Sequence, residues 1–238
     1  AQPSSEYEVI GGIDRERLAR ADAMRFGFER FEDAENAAYL IEGADVVIDF
    51  SAPEGLEHLL SLRFEELQKK PVVIGTTGLN NDIVRRLAML SQLTPVMVSA
   101  NYSIGVKLML GLVEQAARAL PAEAYDIEIL ETHHRHKSDA PSGTALMLGR
   151  VIAQGRVTSL ELQRKDGRSG VSAGRVIGEI GFHSVRGGEV IGEHHVLFLG
   201  DHERLEISHV AQDRGLFGEG ALLAAKWLVG KEPGSYSM

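Results

Sequence analysis

The sequence contains no cysteine, so it can form neither disulfides nor a thiolate-held metal site, and this is compatible with a cytoplasmic setting. No apolar run approaches the roughly 20 residues a membrane-spanning helix needs, and no signal-peptide pattern opens the chain. Positive charge is in deficit: 25 Lys and Arg stand against 34 Asp and Glu, a formal net charge of −9, which argues against nucleic acid as a partner. Also missing are the G-x-S-x-G elbow of a serine nucleophile and a glycine-rich phosphate loop after the first strand. What is present is a chain of 238 residues, 44% hydrophobic, enough for one large domain or two modest ones.

Against that acidic background one stretch stands out. Asp126 to Glu131 alternates polar and apolar residues at period two, the pattern of a half-buried strand. His133, His134, Arg135, His136 and Lys137 follow directly, and a helix then starts at Pro141-Ser142-Gly143-Thr144, where Ser or Thr can cap. The backbone N–H groups of Ser142, Gly143 and Thr144 favour negative charge, and Gly143 lets a carboxylate or phosphate approach closely. The combination points to anion binding beside proton transfer. If strand geometry persists through the loop, His133, Arg135 and Lys137 share one face and His134 and His136 the other. A metal is the rival reading, since His134 and His136 at i, i+2 could reach one ion. Against it, no carboxylate pair accompanies them, and Arg135 and Lys137 would repel a cation.

The first half alternates strands and helices. Tyr7 to Ile13 reads as a strand ending in Asp14-Arg15, Glu16 to Arg30 as loop plus helix, Ala34 to Ile41 as a short helix, and Ala44 to Phe50 as an apolar strand buried on both faces. A helix from Pro53, the strand Val72 to Ile74, the helix Asn80 to Leu93 and the strand Pro95 to Ser99 continue the pattern. This is the order of a Rossmann-like, doubly wound parallel sheet, in which ligands lie beyond the carboxyl ends of the strands. The loops there, Gly75-Thr76-Thr77 and Ser99-Ala100-Asn101-Tyr102, are small and polar and suit a dinucleotide, although each alone also reads as an ordinary turn. After the helix Ile104 to Leu120, runs at Glu179 to Val185, Val190 to Leu199 and Arg204 to Ala211 lack intervening helices. They predict an α+β domain with an open mixed sheet, whose apolar face subunit pairing would cover. A final helix, Phe217 to Val229, returns to the first domain. The expected division is 1–103 completed by 214–238 for dinucleotide binding, and 104–213 for substrate binding and oligomerisation.

The run from Glu131 through His133-His134-Arg135-His136-Lys137 to Pro141-Ser142-Gly143-Thr144-Ala145 resembles the signature of the dihydrodipicolinate reductase family. The similarity extends through Val47 to Ser51, Gly75 to Gly78, Ser99 to Gly105, Gly181 to Arg186, Gly192-Glu193-His194, Arg204 to Ile207, Arg214 with Phe217, and Gly230-Lys231-Glu232, nearly the whole chain. The resemblance implies reduction of 4-hydroxy-tetrahydrodipicolinate, a small cyclic dicarboxylate, by NADH or NADPH in lysine and diaminopimelate biosynthesis, in a homotetramer assembled through the open sheet. It implies that the loops at Gly75 and Ser99 contact the nicotinamide half of the cofactor. It also makes Asp14 and Arg15, otherwise common turn chemistry, an acid-Arg pair that tolerates both cofactors.

Hydride addition leaves an enamine that must take up a proton. His133 is a donor because its ordinary pKa lies near neutrality, and Lys137 because a cationic neighbourhood would lower its own. His134, Gly143 and Thr144 would bind the carboxylates, Arg214 adds to the site, and the two domains must close for reaction. The family's G-x-x-G-R-M-G loop has no counterpart here. Either it lies outside this sequence, which is the expectation, or the chain lacks it. The second case keeps open a catalytically reduced paralogue that senses dinucleotide or dicarboxylate. Reduction of a different anionic ring stays open beside it, because helix-cap chemistry specifies a carboxylate better than a ring.

Overall fold

The computed structural model describes residues 7–15, 30–171 and 174–238, so the expected loop and helix at Glu16 to Arg30 fall outside the described residues except for Arg30. The chain forms two compact units, one of Ala1–Tyr102 with Phe217–Met238 and one of Ser103–Leu216.

In the first unit, β1 (Gly12–Asp14) and β2 (Phe31–Asp33) pair in parallel. A separate four-stranded parallel sheet holds β3 (Val47–Asp49), β4 (Val72–Ile74), β5 (Pro95–Val98) and β11 (Gly234–Tyr236) in the order β11-β5-β4-β3. Every residue of β4 is buried, as expected of a parallel strand covered on both faces. On one face lie α1 (Ala38–Gly43), α2 (Pro53–Leu62), the single turn α3 (Phe64–Leu67) and α4 (Asn81–Leu90). Leu56, Leu60, Leu87 and Leu90 of these helices pack on Val72, Ile74 and Val96. Each such fully buried side chain is worth about 1.5–3 kcal/mol. Asn80 caps α4, its side chain accepting the Asp82 and Ile83 amides at 2.9 Å. The other face is covered by α8 (Gly215–Leu228), whose Ala221, Ala224, Ala225 and Leu228 pack on Val73, Met97 and Tyr102. The sequence therefore returns to complete a unit it left more than a hundred residues earlier.

The second unit is built on a five-stranded mixed sheet of order β10-β9-β6-β8-β7. Its strands are β6 (Asp126–His133), β7 (Arg164–Asp166), β8 (Ile180–Arg186), β9 (Gly192–Leu199) and β10 (Arg204–Ala211). The central strand β6 pairs in parallel with β8 and antiparallel with β9. It alternates half-buried and buried residues without a break, placing Ile127, Ile129, Glu131 and His133 on one face. Two helices cover that face, α5 (Ile104–Ala119) and α6 (Gly143–Gly155), through Met109, Val113, Leu148 and Ile152. The one-turn helix α7 (Leu160–Gln163) adds Leu160 to the same core. On the opposite face Glu128, Leu130, Thr132, His195 and Leu197 stay half-buried. None of the described helices is long and apolar enough to cross a membrane.

Candidate active site

Strand geometry does not persist into the loop. β6 ends at His133, the Arg135 amide donates to Gly188 O at 3.1 Å, and the Lys137 amide turns back to His134 O at 3.2 Å. The expected two-faced arrangement of the five residues is corrected accordingly, because a turn bonded to the β8–β9 connection replaces an extended run. His133 is buried and His134 half-buried, while Arg135 and His136 are exposed and lie 3.9 and 3.8 Å from Glu189. Lys137 pairs with Asp139 at 2.7 and 2.9 Å. Its nearest charged partner is thus a carboxylate, where the sequence suggested a cationic neighbourhood. The His134 and His136 rings stand 6.2 Å apart, and among the described residues no three His, Cys, Asp or Glu form a group able to hold a metal.

His133 sits in a cluster that the sequence reading only partly anticipated. Its Nδ1 lies 2.5 Å from Glu131 Oε2. Glu131 is 1% exposed. Its two oxygens also accept Arg186 Nη1 and Nη2, each at 2.7 Å, and Oε1 accepts the Ser142 amide at 3.1 Å. Burial alone would raise this carboxyl, but hydrogen bonds from His133, Arg186 and Ser184 overcome it and hold it far below the usual carboxylate range. Arg186 Nη2 also donates to Asp139 O at 2.7 Å, tying in the segment that carries Lys137. Ser142 is the N-cap of α6, its Oγ accepting the Ala145 amide at 3.2 Å and lying 3.0 Å from His194 Nε2. His194 meets His133 edge-on with ring centroids 5.2 Å apart. Burial pushes the His194 imidazole down to about 3, with His133 acting in the same direction. A Cβ placed on Gly192 would come within 3.1 Å of His133 Nε2, so it is the bare glycine that leaves room at that nitrogen.

The helix start is partly engaged by its own chain, since the Ser142 amide is held by Glu131. Gly143 behind it is exposed, and a Cβ there would meet nothing within 4 Å. Thr144 is half-buried. An anion approaching the first turn of α6 therefore meets the dipole end at Gly143, one residue beyond the amide that Glu131 holds. Arg214 is exposed. Glu131, Arg186 and His194 had received no role from the sequence. A signal was present for Glu131, because the period-two register puts it on the covered face with Ile127 and Ile129, where an unpaired carboxylate would be costly.

In the first unit the candidate cofactor residues occupy the carboxyl ends of β4 and β5. Thr76, Ser99 and Asn101 are buried polar residues, and Thr77 and Ala100 are exposed. Thr76 Oγ1 donates to Asp49, Ser51 Oγ donates to Asp49 Oδ1 at 2.7 Å, and Ser99 Oγ donates to Asn101 O at 2.8 Å. Half-exposed Phe50 lies over Gly75 so closely that a Cβ there would stand 2.4 Å from its ring. Bare backbone, short hydroxyls and an exposed aromatic fit the nicotinamide half of a dinucleotide. The Tyr102 side chain is no part of that surface. It is 1% exposed, its hydroxyl donates to Ile74 O at 2.9 Å, and burial raises its phenol. Asp14, the last residue of β1, and Arg15 after it are both exposed, the Asp14 carboxylate accepting the Arg15 amide at 2.7 Å.

Comparison with known proteins matches both units. The family model for the N-terminus of dihydrodipicolinate reductase covers residues 1–102, and that for its C-terminus residues 105–238. A 4-hydroxy-tetrahydrodipicolinate reductase from Caulobacter vibrioides is 46% identical over 227 residues, 92% of this chain and 87% of the relative. One from Pseudoalteromonas atlantica is 50% identical over 229 residues, 96% of this chain and 80% of the relative. A solved dipicolinate-bound dihydrodipicolinate reductase from Paenisporosarcina sp. TG-14 superposes with a TM-score of 0.71 at 25% identity, covering 98% of this chain and 89% of that one. Both units are thus matched over nearly their whole length, and the chain belongs to the dihydrodipicolinate reductase family.

Proposed function

We propose that His133 and Lys137 serve as donors of the proton taken up in the reaction of this family, the NAD(P)H-dependent reduction of 4-hydroxy-tetrahydrodipicolinate to tetrahydrodipicolinate with loss of the 4-hydroxyl as water, in lysine and diaminopimelate biosynthesis. The observation that carries this reading is the placement of His133 at the end of β6, with one ring nitrogen on a buried carboxylate and room at the other. An ionised carboxylate only accepts, so Nδ1 carries a hydrogen and Nε2 is the nitrogen that exchanges a proton with a ligand. Lys137, held by Asp139 and linked through Arg186 to Glu131, is the second donor. His134, Gly143 and Thr144 bind the carboxylates of the ring, supported by the open approach to Gly143. Bound NADH or NADPH supplies the hydride to the ring. Asp14, Arg15, Gly75, Thr76, Thr77, Ser99, Ala100 and Asn101 hold it, and Tyr102 contributes through its backbone and by bracing Ile74 and Met97 from within.

Assembly into a homotetramer through the uncovered face of the second unit's sheet belongs to the same reading. It is supported by Val185 and Val210, each 51% exposed there, and by half-buried Leu130 and Leu197 beside them. A biosynthetic reductase drawing on NAD(P)H is expected in the cytoplasm. The decisive assay follows NAD(P)H oxidation with freshly generated substrate. His133→Ala and Lys137→Ala each lower turnover by about a hundredfold or more while cofactor binding is kept, and near-normal turnover in both variants would remove these residues from the proton step.

A further inference from the structure

We propose that Glu131 is a positioning residue for this reaction, setting which nitrogen His133 presents and anchoring the start of α6, so that one buried carboxylate aligns the proton donor with the carboxylate-binding helix end. The proposal rests on the reading of His133 as a proton donor. Glu131 touches neither substrate nor cofactor in this scheme, and it acts through what it holds.

Besides Ser184, four groups meet on its two oxygens: the His133 imidazole at 2.5 Å, both terminal nitrogens of Arg186 at 2.7 Å, and the Ser142 amide at 3.1 Å. Each matters to a different part of the site. The bond to Nδ1 fixes the ring's tautomer and its rotation about the Cβ–Cγ bond, which is what a proton-transferring imidazole needs from a supporting carboxylate. The bond to the Ser142 amide fixes the residue that caps α6, so Gly143 and Thr144 take up a set position relative to His133. The Arg186 fork keeps the charge compensated in a place where an unpaired carboxylate would not persist, and its contact with Asp139 O extends the same frame to the loop bearing Lys137. The strand itself makes this possible, since residues at i and i+2 of β6 share a face.

A double-mutant cycle with Glu131→Gln and His133→Gln on the full-length chain tests it. Glu131→Gln is expected to lower kcat about a hundredfold or more, leave NAD(P)H affinity unchanged, and lose the single Nδ1–H tautomer of His133 in long-range ¹H–¹⁵N spectra. The double variant is expected to be no slower than His133→Gln within about threefold, because residues acting as one unit are not additive. Independent, multiplying effects, or a Glu131→Gln chain with wild-type tautomer and turnover, would overturn the proposal while leaving His133 as donor. If His133→Gln alone keeps near-normal turnover, the donor reading fails first and takes this one with it. Should Glu131→Gln not melt cooperatively, the cycle is run with Glu131→Asp, which keeps the charge but withdraws it by a methylene. The same non-additivity is then expected, and additivity overturns the proposal.

Discussion

At His194 the folded chain refuses a proton that the unfolded chain takes up. Its imidazole is 4% exposed and pushed down from 6.5 to about 3, first by burial and then by His133. Between those two values the unfolded state binds more protons, so stability must fall as pH falls through that window. His194→Gln, which keeps a nitrogen near Ser142 Oγ, should narrow the loss of stability between pH 7 and 4.5 by on the order of 3 kcal/mol, read from urea unfolding at the two pH values. Glu131 has the same sign in a more acid window: its depressed carboxyl lends stability that is fully present above the ordinary carboxylate range and is lost progressively as pH falls below it. Gly192 gives a steric test at the same scale. A methyl group there would stand 3.1 Å from His133 Nε2, so Gly192→Ala should lower turnover at least about tenfold without changing NAD(P)H affinity, and an unaltered rate would show that the space at Nε2 is not used.

At the scale of elements, α6 carries the turn proposed to bind substrate and depends on its cap. Ser142→Ala removes the acceptor of the Ala145 amide and the partner of His194. It should cost about 1–2 kcal/mol of stability and raise KM for the substrate, both measurable on the purified variant, while Asn80→Ala on α4 should cost about 1 kcal/mol with KM for the substrate unchanged. The long elements were legible because their periods run over enough residues: eight alternating positions in β6, and thirteen residues of apolar spacing behind a serine in α6. β2, β7 and β11 were not legible. Each has three residues and lacks the apolar β-branched run that marks the equally short β4, so each is specified by the strand it pairs with. The proposed proton donors could be picked out because titratable residues stand in a row. Arg186 and His194 were not, because they come from β8 and β9, and only the register of those strands beside β6 brings them to Glu131.

For the molecule as a whole, the division into units sets what can stand alone. The second unit is one uninterrupted stretch, Ser103–Leu216, with its own core of sheet and helices, so that stretch expressed separately should unfold in a single cooperative thermal transition. A non-cooperative melt would show that it leans on the rest of the chain. The first unit cannot be isolated this way, since α8 supplies one wall of its core and β11 extends its sheet beside β5. Its last strand and last helix come from the final residues of the sequence. During synthesis, then, the segment bearing His133 and Lys137 emerges complete and can collapse while the earlier-made strands β3 to β5 still wait for their covering helix. The half translated first is the half that finishes last, and any ribosome stalled before Phe217 would release a chain whose sheet is bare on one side.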